Sequence, residues 1–171
     1  MILTGHAIED AVKKNDILID PFNIDQLNPN SYDFCLGDTL KVYTKFPLDA
    51  KKCNPTKTMT IPKAGLTLHP QTLYLGHTEE RIGSNHYVPI IRGRSSTGRL
   101  GLFVHITADL IDIGAIGQWT LQMHVVQPLV VYPHMKIGQV TFWCVKGAID
   151  LYQGKYQNAC GPVASKSYKD F

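Results

Sequence analysis

The sequence predicts an all-β fold, a distorted antiparallel jelly-roll or barrel with one short helix at its N-terminus. From Met59 onward, short apolar segments alternate with segments rich in glycine and proline, at the spacing expected of a β-sandwich or barrel. Residues 6–14 instead carry apolar side chains at helical spacing. A chain of 171 residues with this pattern is most simply one domain, residues 1–171.

Each predicted strand is a short apolar run bounded by residues that favour turns. After the helix, a brief strand spans residues 17–19, and a strand pair that breaks near Gly37 spans residues 31–43. The later strand candidates are residues 73–79, 87–92, 102–106, 118–126, 129–131 and 139–145. Residues 45–57 have a weak polar pattern and are predicted to form a loop. Residues 150–171 contain few apolar groups, which predicts a mobile C-terminal tail.

Composition argues against several classes of protein. The formal net charge is +3 and the basic residues are scattered, so no nucleic-acid partner is indicated. No apolar run is long enough to span a membrane, and the N-terminus lacks the basic start and apolar core of a signal peptide. The four cysteines are widely spaced without a C-x-x-C pair, which is typical of a reducing compartment and predicts a cytoplasmic location.

The most informative motif is G-R-S-S-T-G-R-L-G-L at residues 93–102. Arginine side chains match phosphate oxygens in two-point contact, serine hydroxyls donate hydrogen bonds, and glycines let the backbone approach an anion. The candidate triphosphate ligands are Arg94, Ser95, Ser96 and Arg99. Taken alone, the composition fits a polar surface turn equally well.

The order of motifs along nearly the whole chain resembles the dCTP deaminase/dUTPase family, in its deaminase-like branch. After the arginine–serine motif come H-I-T-A at residues 105–108, I-D-I-G-A-I-G at 111–117, and an apolar strand that reaches L-Q at 121–122. Further matches are N-S-Y-D-F-C-L-G at 30–37 and G-P-V-A-S at 161–165. The resemblance implies the dUTPase-like fold and a homotrimer with active sites at the subunit interfaces.

The resemblance also implies roles for single residues. The family's triphosphate-binding serine corresponds to Ser95, its catalytic arginine to Arg99 and its catalytic aspartate to Asp112. An aspartate between apolar residues is costly unless it has partners, and near deoxyribose Asp112 can accept from the 3′-hydroxyl or orient water. An ordinary turn aspartate is the alternative. Thr107 and Ala108 are expected to present backbone groups to the pyrimidine.

The tail and one histidine complete the predicted site. Lys155 is consistent with triphosphate capture, and Tyr156 is a candidate base or sugar contact. The family's glutamine that helps to close the site over base and sugar falls on Ala159. A stabilising role for His105 is implied by the resemblance alone, because a lone histidine on an apolar strand is more often a core residue.

One residue departs from the family pattern at the centre of the chemistry. Where the family has a glutamate that moves a proton from water to the pyrimidine, this chain has Gln122. A primary amide keeps the hydrogen bonding but does not titrate. The chain also lacks the P-C-x-x-C element that zinc deaminases combine with H-x-E to hold the zinc that generates hydroxide. Gln122, a candidate catalytic and base-binding residue, therefore argues against deamination.

Gln122 argues less against phosphoanhydride hydrolysis. That reaction needs aligned water, metal charge and cationic clamps, which Asp112, Arg99, Ser95 and a Mg²⁺ that enters with the triphosphate can supply. We therefore expect a pyrimidine deoxynucleoside triphosphate diphosphatase that converts dUTP and water into dUMP and pyrophosphate. The alternatives are a dCTP deaminase or a bifunctional dCTP deaminase and dUTPase, if Gln122 is an engineered change or is bypassed. A dCTP diphosphatase and a nucleotide-binding regulator without turnover stay open as well.

Overall fold

Thirteen short β-strands make up most of the structure, a computed structural model that describes residues 1–171. The strands are β1 (Ile17–Asp20), β2 (Leu27–Asn28), β3 (Ser31–Cys35), β4 (Thr39–Tyr43), β5 (Thr56–Thr60), β6 (Leu66–Leu68), β7 (Tyr74–His77), β8 (Arg81–Ser84), β9 (Tyr87–Gly93), β10 (Leu102–Phe103), β11 (Thr120–Val125), β12 (Leu129–Val131) and β13 (Lys136–Cys144). The helices are α1 (Gly5–Lys13) and α2 (Ser95–Gly98), and 3₁₀ turns span Ile24–Gln26 and Ser167–Asp170. The predicted all-β fold with a short N-terminal helix is confirmed.

Every strand pair is antiparallel, and the strands form two larger and two smaller sheets. The five-stranded sheet has the order β10-β11-β7-β4-β5, and the four-stranded sheet has the order β2-β3-β13-β9. Two-stranded ribbons join β1 with β8 and β12 with β6. Neither helix has the length or the apolar character needed to cross a bilayer.

The alternation of side chains along β11 decides which of them face the core. Leu121, Met123 and Val125 are fully buried in the hydrophobic core. Since successive side chains of a strand point to opposite faces, Thr120 and Gln122 lie on the other face. That face is the one on which the candidate site forms.

Helix α1 spans Gly5–Lys13, one residue earlier than the predicted helix 6–14. The Oγ1 atom of Thr4 accepts a hydrogen bond from the backbone N–H of Ala7 at 3.3 Å, which caps the first turn. Ile8 and Ala11 are buried on the inner side, as the helical spacing of apolar residues predicts. Asn15 follows with a φ of 60°, a conformation in which asparagine is tolerated.

Several elements differ from the sequence-based expectation. Strands β5, β6 and β8 were not predicted, because their short polar segments become strands only through pairing with distant partners. The predicted strand 102–106 ends at Phe103, where its pairing with β11 stops. Helix α2 forms inside the arginine–serine motif, where glycine and serine favour a turn.

Candidate functional site

A cavity of about 410 Å³ lies between β11, residues 108–119 and the C-terminal segment. Most of its lining residues are hydrophobic, and a few polar groups converge on it. This size and lining are typical of small-molecule sites, which measure roughly 300–1,000 Å³. The cavity brings together four of the five residues predicted to contact base and sugar, which are Ala108, Asp112, Gln122 and Tyr156. Thr107 is exposed and does not line it.

The outer face of β11 and its preceding residues binds the C-terminal segment and leaves one amide free. The Oε1 atom of Gln118 accepts from the backbone N–H of Gly161 at 2.7 Å. Two residues later, the Oγ1 atom of Thr120 accepts from the N–H of Val163 at 3.0 Å. Gln122 comes next on this face and lines the cavity, opposite Leu75 of β7 in the strand register, and its side chain makes no hydrogen bond within the chain. A ligand can therefore use both its donor and its acceptor.

Asp112 lies in the loop that approaches the cavity, and its side chain is exposed. The sequence-based expectation that its apolar neighbours impose a desolvation cost is wrong, since the residue is not buried. The backbone carbonyl of Asp112 accepts from the N–H of Ala115 at 3.0 Å, so the residue does begin a turn. Its carboxylate makes no hydrogen bond or ion pair within the chain. No other aspartate or glutamate lines the cavity.

Two glycines of the I-D-I-G-A-I-G motif allow the C-terminal segment to approach closely. A Cβ atom on Gly114, whose φ is +87°, would lie 2.9 Å from both the Cβ of Leu151 and the backbone nitrogen of Tyr152. A Cβ atom on Gly117 would lie 2.8 Å and 2.9 Å from the backbone nitrogen and oxygen of Ala159. In the sequence, both glycines are identified only as part of the I-D-I-G-A-I-G motif. Because they have no side chains, they also form a surface against which the tail packs closely, and this property depends on the fold.

Residues 150–171 form one wall of the cavity. The Nε2 atom of Gln157 donates to the carbonyl of Gly114 at 2.7 Å, and its Oε1 atom accepts from the N–H of Ile116 at 2.9 Å. The carbonyl of Ala159 accepts from the N–H of Gln118 at 2.9 Å. Gln157 therefore anchors the tail, while Ala159 leaves the position of the family's glutamine without a side-chain amide. The mobility of this segment stays a prediction.

Tyr43 is a cavity residue that the sequence analysis missed. It ends β4, lines the cavity and accepts a hydrogen bond at its hydroxyl from the backbone N–H of Ser165 at 3.0 Å. Tyr156 makes a similar contact, because its hydroxyl accepts from the N–H of Lys166 at 2.9 Å. Sequence offers no signal for Tyr43, which lies far from the tail along the chain and sits outside every motif.

Lys155 lies outside the cavity and is paired with an acidic residue of its own tail. Its Nζ atom forms an ion pair with the carboxylate of Asp170, and that hydrogen bond raises the pKa of Lys155 above its usual value. The same ammonium lies 5.8 Å from the centre of the Tyr156 ring. Capture of a triphosphate by Lys155 therefore requires Asp170 to release it.

The arginine–serine motif forms a separate cluster around α2. The Nη1 atom of Arg99 donates to the Oγ of Ser95 at 2.8 Å, and the Nη1 atom of Arg94 donates to the Oγ of Ser96 at 2.9 Å. The Nε atom of Arg94 also donates to the buried carboxylate of Asp33 at 3.0 Å. None of the four predicted triphosphate residues lines the cavity. Within one protomer, the predicted phosphate and base contacts are thus separate.

Two buried nitrogen atoms have no hydrogen-bond partner, Nδ1 of His105 and Nε1 of Trp119, and of these two residues Trp119 lines the cavity. Leaving such a group unsatisfied costs about 1–3 kcal/mol, and most buried polar groups in proteins are paired. His105 follows the buried residue Val104 and is itself half-buried, so it is not the ordinary satisfied core histidine.

Comparisons with known proteins agree on one family. The family model described as dCTP deaminase-like matches residues 2–145. A protein of Clostridium beijerinckii named "dCTP deaminase, dUMP-forming" is 49% identical over 172 residues, which cover 100% of this chain and 99% of that protein. A protein of Leptospira biflexa with the same name is also 49% identical, over 100% of this chain and 98% of its own length.

A solved structure resembles the fold at lower sequence identity. The crystal structure of 2′-deoxycytidine 5′-triphosphate deaminase from Agrobacterium tumefaciens superimposes with a TM-score of 0.66 at 20% identity. The match covers 82% of this chain and 47% of that chain, so this chain spans about half the length of that protein. At this identity the likeness supports the fold.

The comparisons contradict the expectation that the main activity is dUTP hydrolysis. The relatives at 46–49% identity are named as dUMP-forming deaminases of dCTP, which matches an alternative rather than the preferred function. The error came from giving the single residue Gln122 more weight than the similarity of the rest of the chain. With a matching family model over residues 2–145 and relatives of nearly half-identical sequence along its whole length, this chain belongs to the dCTP deaminase-like family.

Proposed function

We propose that this protein converts dCTP into dUMP. The balanced reaction is dCTP + 2 H₂O → dUMP + pyrophosphate + NH₃, in which one water replaces the 4-amino group of cytosine and the other cleaves the phosphoanhydride. The observation that carries the proposal is the 49% identity, along the whole chain, to proteins named for this conversion. The cavity, which gathers the predicted base and sugar contacts, supports it.

The free amide of Gln122 supports recognition of cytosine. Its carbonyl oxygen can accept from the 4-amino group, and its N–H can donate to an acceptor on the ring. The predominantly apolar lining, which includes Leu75 and Ile116, excludes water from the faces of the base. Neither contact requires Gln122 to ionise.

Proton transfer during deamination is the step that Gln122 makes slow. The attacking water must lose a proton and the departing amine must gain one, and an amide does neither near neutral pH. Asp112 is the one carboxylate that lines the cavity, so we assign to it the alignment and deprotonation of water. General acid–base groups typically contribute about 10²–10⁴-fold, so deamination here is expected to be slower than with a carboxylate at position 122.

We assign the triphosphate to the arginine–serine motif of a neighbouring subunit in a homotrimer. The separation of this motif from the cavity within one protomer supports a site completed by a second copy. Phe103, Ile106 and Leu110 lie between the motif and Asp112 along the chain and are 52%, 55% and 62% exposed, as expected of residues covered by another subunit. The unpartnered Nδ1 atom of His105 in the same segment supports this assignment.

Mg²⁺ fits this site as a companion of the substrate. The chain has no cluster of histidine, cysteine, aspartate and glutamate side chains that could hold a metal ion by itself. The hydroxyls and guanidinium groups of the motif suit an anion, so the metal would be held by triphosphate oxygens. Bound there, it would neutralise phosphate charge during hydrolysis.

Product analysis tests the proposal. The protein is incubated with dCTP and Mg²⁺, the nucleotides are separated, and ammonia and pyrophosphate are quantified. We expect dUMP, ammonia and pyrophosphate in equal amounts. Pyrophosphate with dCMP and no ammonia would refute the proposal, and so would complete inactivity toward dCTP. Trimer formation is checked by sedimentation, where an active monomer would refute the shared site.

A further inference from the structure

We infer that Asp33 is a positioning residue for triphosphate binding, because it fixes the guanidinium of Arg94. The inference deepens the proposed function and rests on it. Asp33 lies in β3, far along the chain from the arginine–serine motif. The sequence motif that contains it was noted only as part of the family resemblance.

Asp33 is a buried carboxylate with three donors. The residue is 2% exposed. Its Oδ2 atom accepts from Nε of Arg94 at 3.0 Å, and its Oδ1 atom accepts from the side-chain amides of Asn28 and Gln139, both at 2.9 Å. Gln139 stands directly opposite Asp33 in the register of β13 with β3. Two neutral amides thus hold the carboxylate in place, and Arg94 is its only charged partner.

The contact with Asp33 orients Arg94 rather than sequestering it. Nε is bound by Asp33 and Nη1 by the Oγ of Ser96, so the guanidinium plane is fixed at two of its three nitrogens. Nη2 has no partner, and the Arg94 side chain is 35% exposed. A guanidinium held in this way presents an N–H pair to an incoming phosphate without first losing rotamer freedom.

Fixing Arg94 also fixes the short helix that carries the serines. The carbonyl of Arg94 accepts from the N–H of Gly98 at 2.8 Å and from the Oγ1 of Thr97 at 2.9 Å. Thr97 is buried, and its single hydroxyl proton is shared between that carbonyl and the carbonyl of Ile137, which lies 3.2 Å from Oγ1. The four positions of the motif are therefore organised before any ligand binds.

A buried carboxylate is costly to keep, and at Asp33 the cost is offset by the charged contact with Arg94 as well as by two side-chain amides. An ionised carboxylate is stable in an interior only when it is paired and fully hydrogen-bonded. In Asp33→Asn, the single amide oxygen could accept from Asn28 or Gln139. The NH₂ group would then face the remaining donors, which include Nε of Arg94. The charge is needed for the Arg94 contact, which links the interior of the sheet to the phosphate candidates.

A double-mutant cycle on binding tests the positioning role. Affinities for dCTP, inorganic tripolyphosphate and deoxycytidine are measured by calorimetry for the full-length protein, Asp33→Asn, Arg94→Gln and the double variant. We expect Asp33→Asn to weaken dCTP and tripolyphosphate binding about tenfold, and to leave deoxycytidine binding within about twofold. Because Asp33 acts through Arg94, the double variant should bind no more weakly than Arg94→Gln alone.

Glu80→Gln is the matched control. Glu80 is also 2% exposed, and it accepts only from neutral groups, the backbone N–H of Cys35 and the side-chain amide of Gln26. It contacts the same strand as Asp33 but not the motif. Neutralising it should leave tripolyphosphate affinity unchanged.

A second variant keeps the test decisive if Asp33→Asn does not fold. Arg94 is partly exposed, so Arg94→Lys should be tolerated by the fold, and it keeps the positive charge. A lysine ammonium cannot bind Asp33 and Ser96 and still present a pair of N–H groups to a phosphate. We expect it to lose tripolyphosphate affinity as Arg94→Gln does. Retained affinity in Arg94→Lys or in Asp33→Asn, or multiplicative losses in the double variant, would overturn the positioning role alone. A wild-type protein that binds neither dCTP nor tripolyphosphate would overturn the proposed function and the inference together.

Discussion

Replacing Gln122 by glutamate should increase the rate of ammonia release from dCTP. The change places a titratable group on the cavity face of β11 with almost no change in side-chain volume. No hydrogen bond within the chain is lost, because the Gln122 amide has no protein partner. The fold should therefore tolerate the substitution, and its effect should be on the chemical step.

The expected magnitude follows from what surrounds the new carboxylate. A general base contributes about 10²–10⁴-fold when it is correctly placed. Asp112 lines the same cavity, and a like charge nearby together with the apolar lining raises the pKa of a carboxyl group, which brings it closer to the pH at which a base is most effective. Since the rest of the site is adapted to glutamine, we expect at least about a tenfold increase.

The assay is ammonia release under saturating dCTP across a range of pH. The variant should gain a further rate-controlling ionisation, that of the carboxylate introduced at position 122. Gln122→Leu, which removes the amide without adding a base, is the control and should show weaker dCTP binding with no gain in rate. Unchanged ammonia release in Gln122→Glu, with dCTP binding intact, would refute the reasoning about position 122.

Three further predictions follow from the structure. Arg99→Ala should reduce turnover by about tenfold to more than a hundredfold in steady-state kinetics, because a charged hydrogen bond contributes roughly 1.5–3 kcal/mol; full activity would make the motif an ordinary turn. Gly117→Ala should raise KM, because its Cβ would lie under 3.0 Å from the backbone of Ala159 and must displace the tail, and it should also lower the melting temperature, because L side chains rarely adopt the φ of +157° found there; unaltered kinetics would contradict a role for the tail. Burial lowers the pKa of His77 below the value of about 6.5 that it has in the unfolded chain. Between these two pKa values the unfolded chain binds a proton that the folded protein does not. The free energy of unfolding should therefore fall as the pH falls through this window. Urea unfolding at pH 7.5 and 5.5 should show that His77→Gln reduces this loss, and equal losses in both proteins would contradict it.

Sequence reasoning predicted the elements whose signals are local. Helix α1 carries its own cap at Thr4 and its own apolar spacing, and β12 was predicted with the bounds that it has. β11 lies within the predicted strand 118–126, an apolar run in which Leu121 and Met123 alternate with polar side chains. These patterns reflect the periodicity of the backbone, which is the same in any fold.

Elements and contacts that depend on distant partners could not be predicted. Helix α2 forms in a segment typical of turns because buried Thr97 binds the carbonyl of Ile137 from another strand. The same is true of the pairing of Asp33 with Arg94 and of Tyr43 with the tail. The misjudged burial of Asp112 has this origin too, since its apolar neighbours predict an interior position that the loop does not adopt.

The sequence predicted which side chains suit the base and which suit the phosphates, but not the distance between the two groups. Four of five predicted base and sugar residues line one cavity, but the four motif residues lie elsewhere in the protomer. A motif identifies side chains suited to an anion without giving their distance from other motifs. The function assigned from Gln122 alone was wrong for a related reason, because one substitution changes a rate without defining the substrate.

The central claim, that one protein performs both hydrolytic steps on dCTP, is tested most directly with isotopically labelled water. The reaction is run with dCTP and Mg²⁺ in H₂¹⁸O, and the products are examined by mass spectrometry. The account predicts dUMP with one ¹⁸O atom in the uracil ring carbonyl and one ¹⁸O atom in the phosphate products. Label in phosphate alone, with cytosine unchanged in dCMP, would contradict the claim, and so would labelled dUTP that accumulates without release of pyrophosphate.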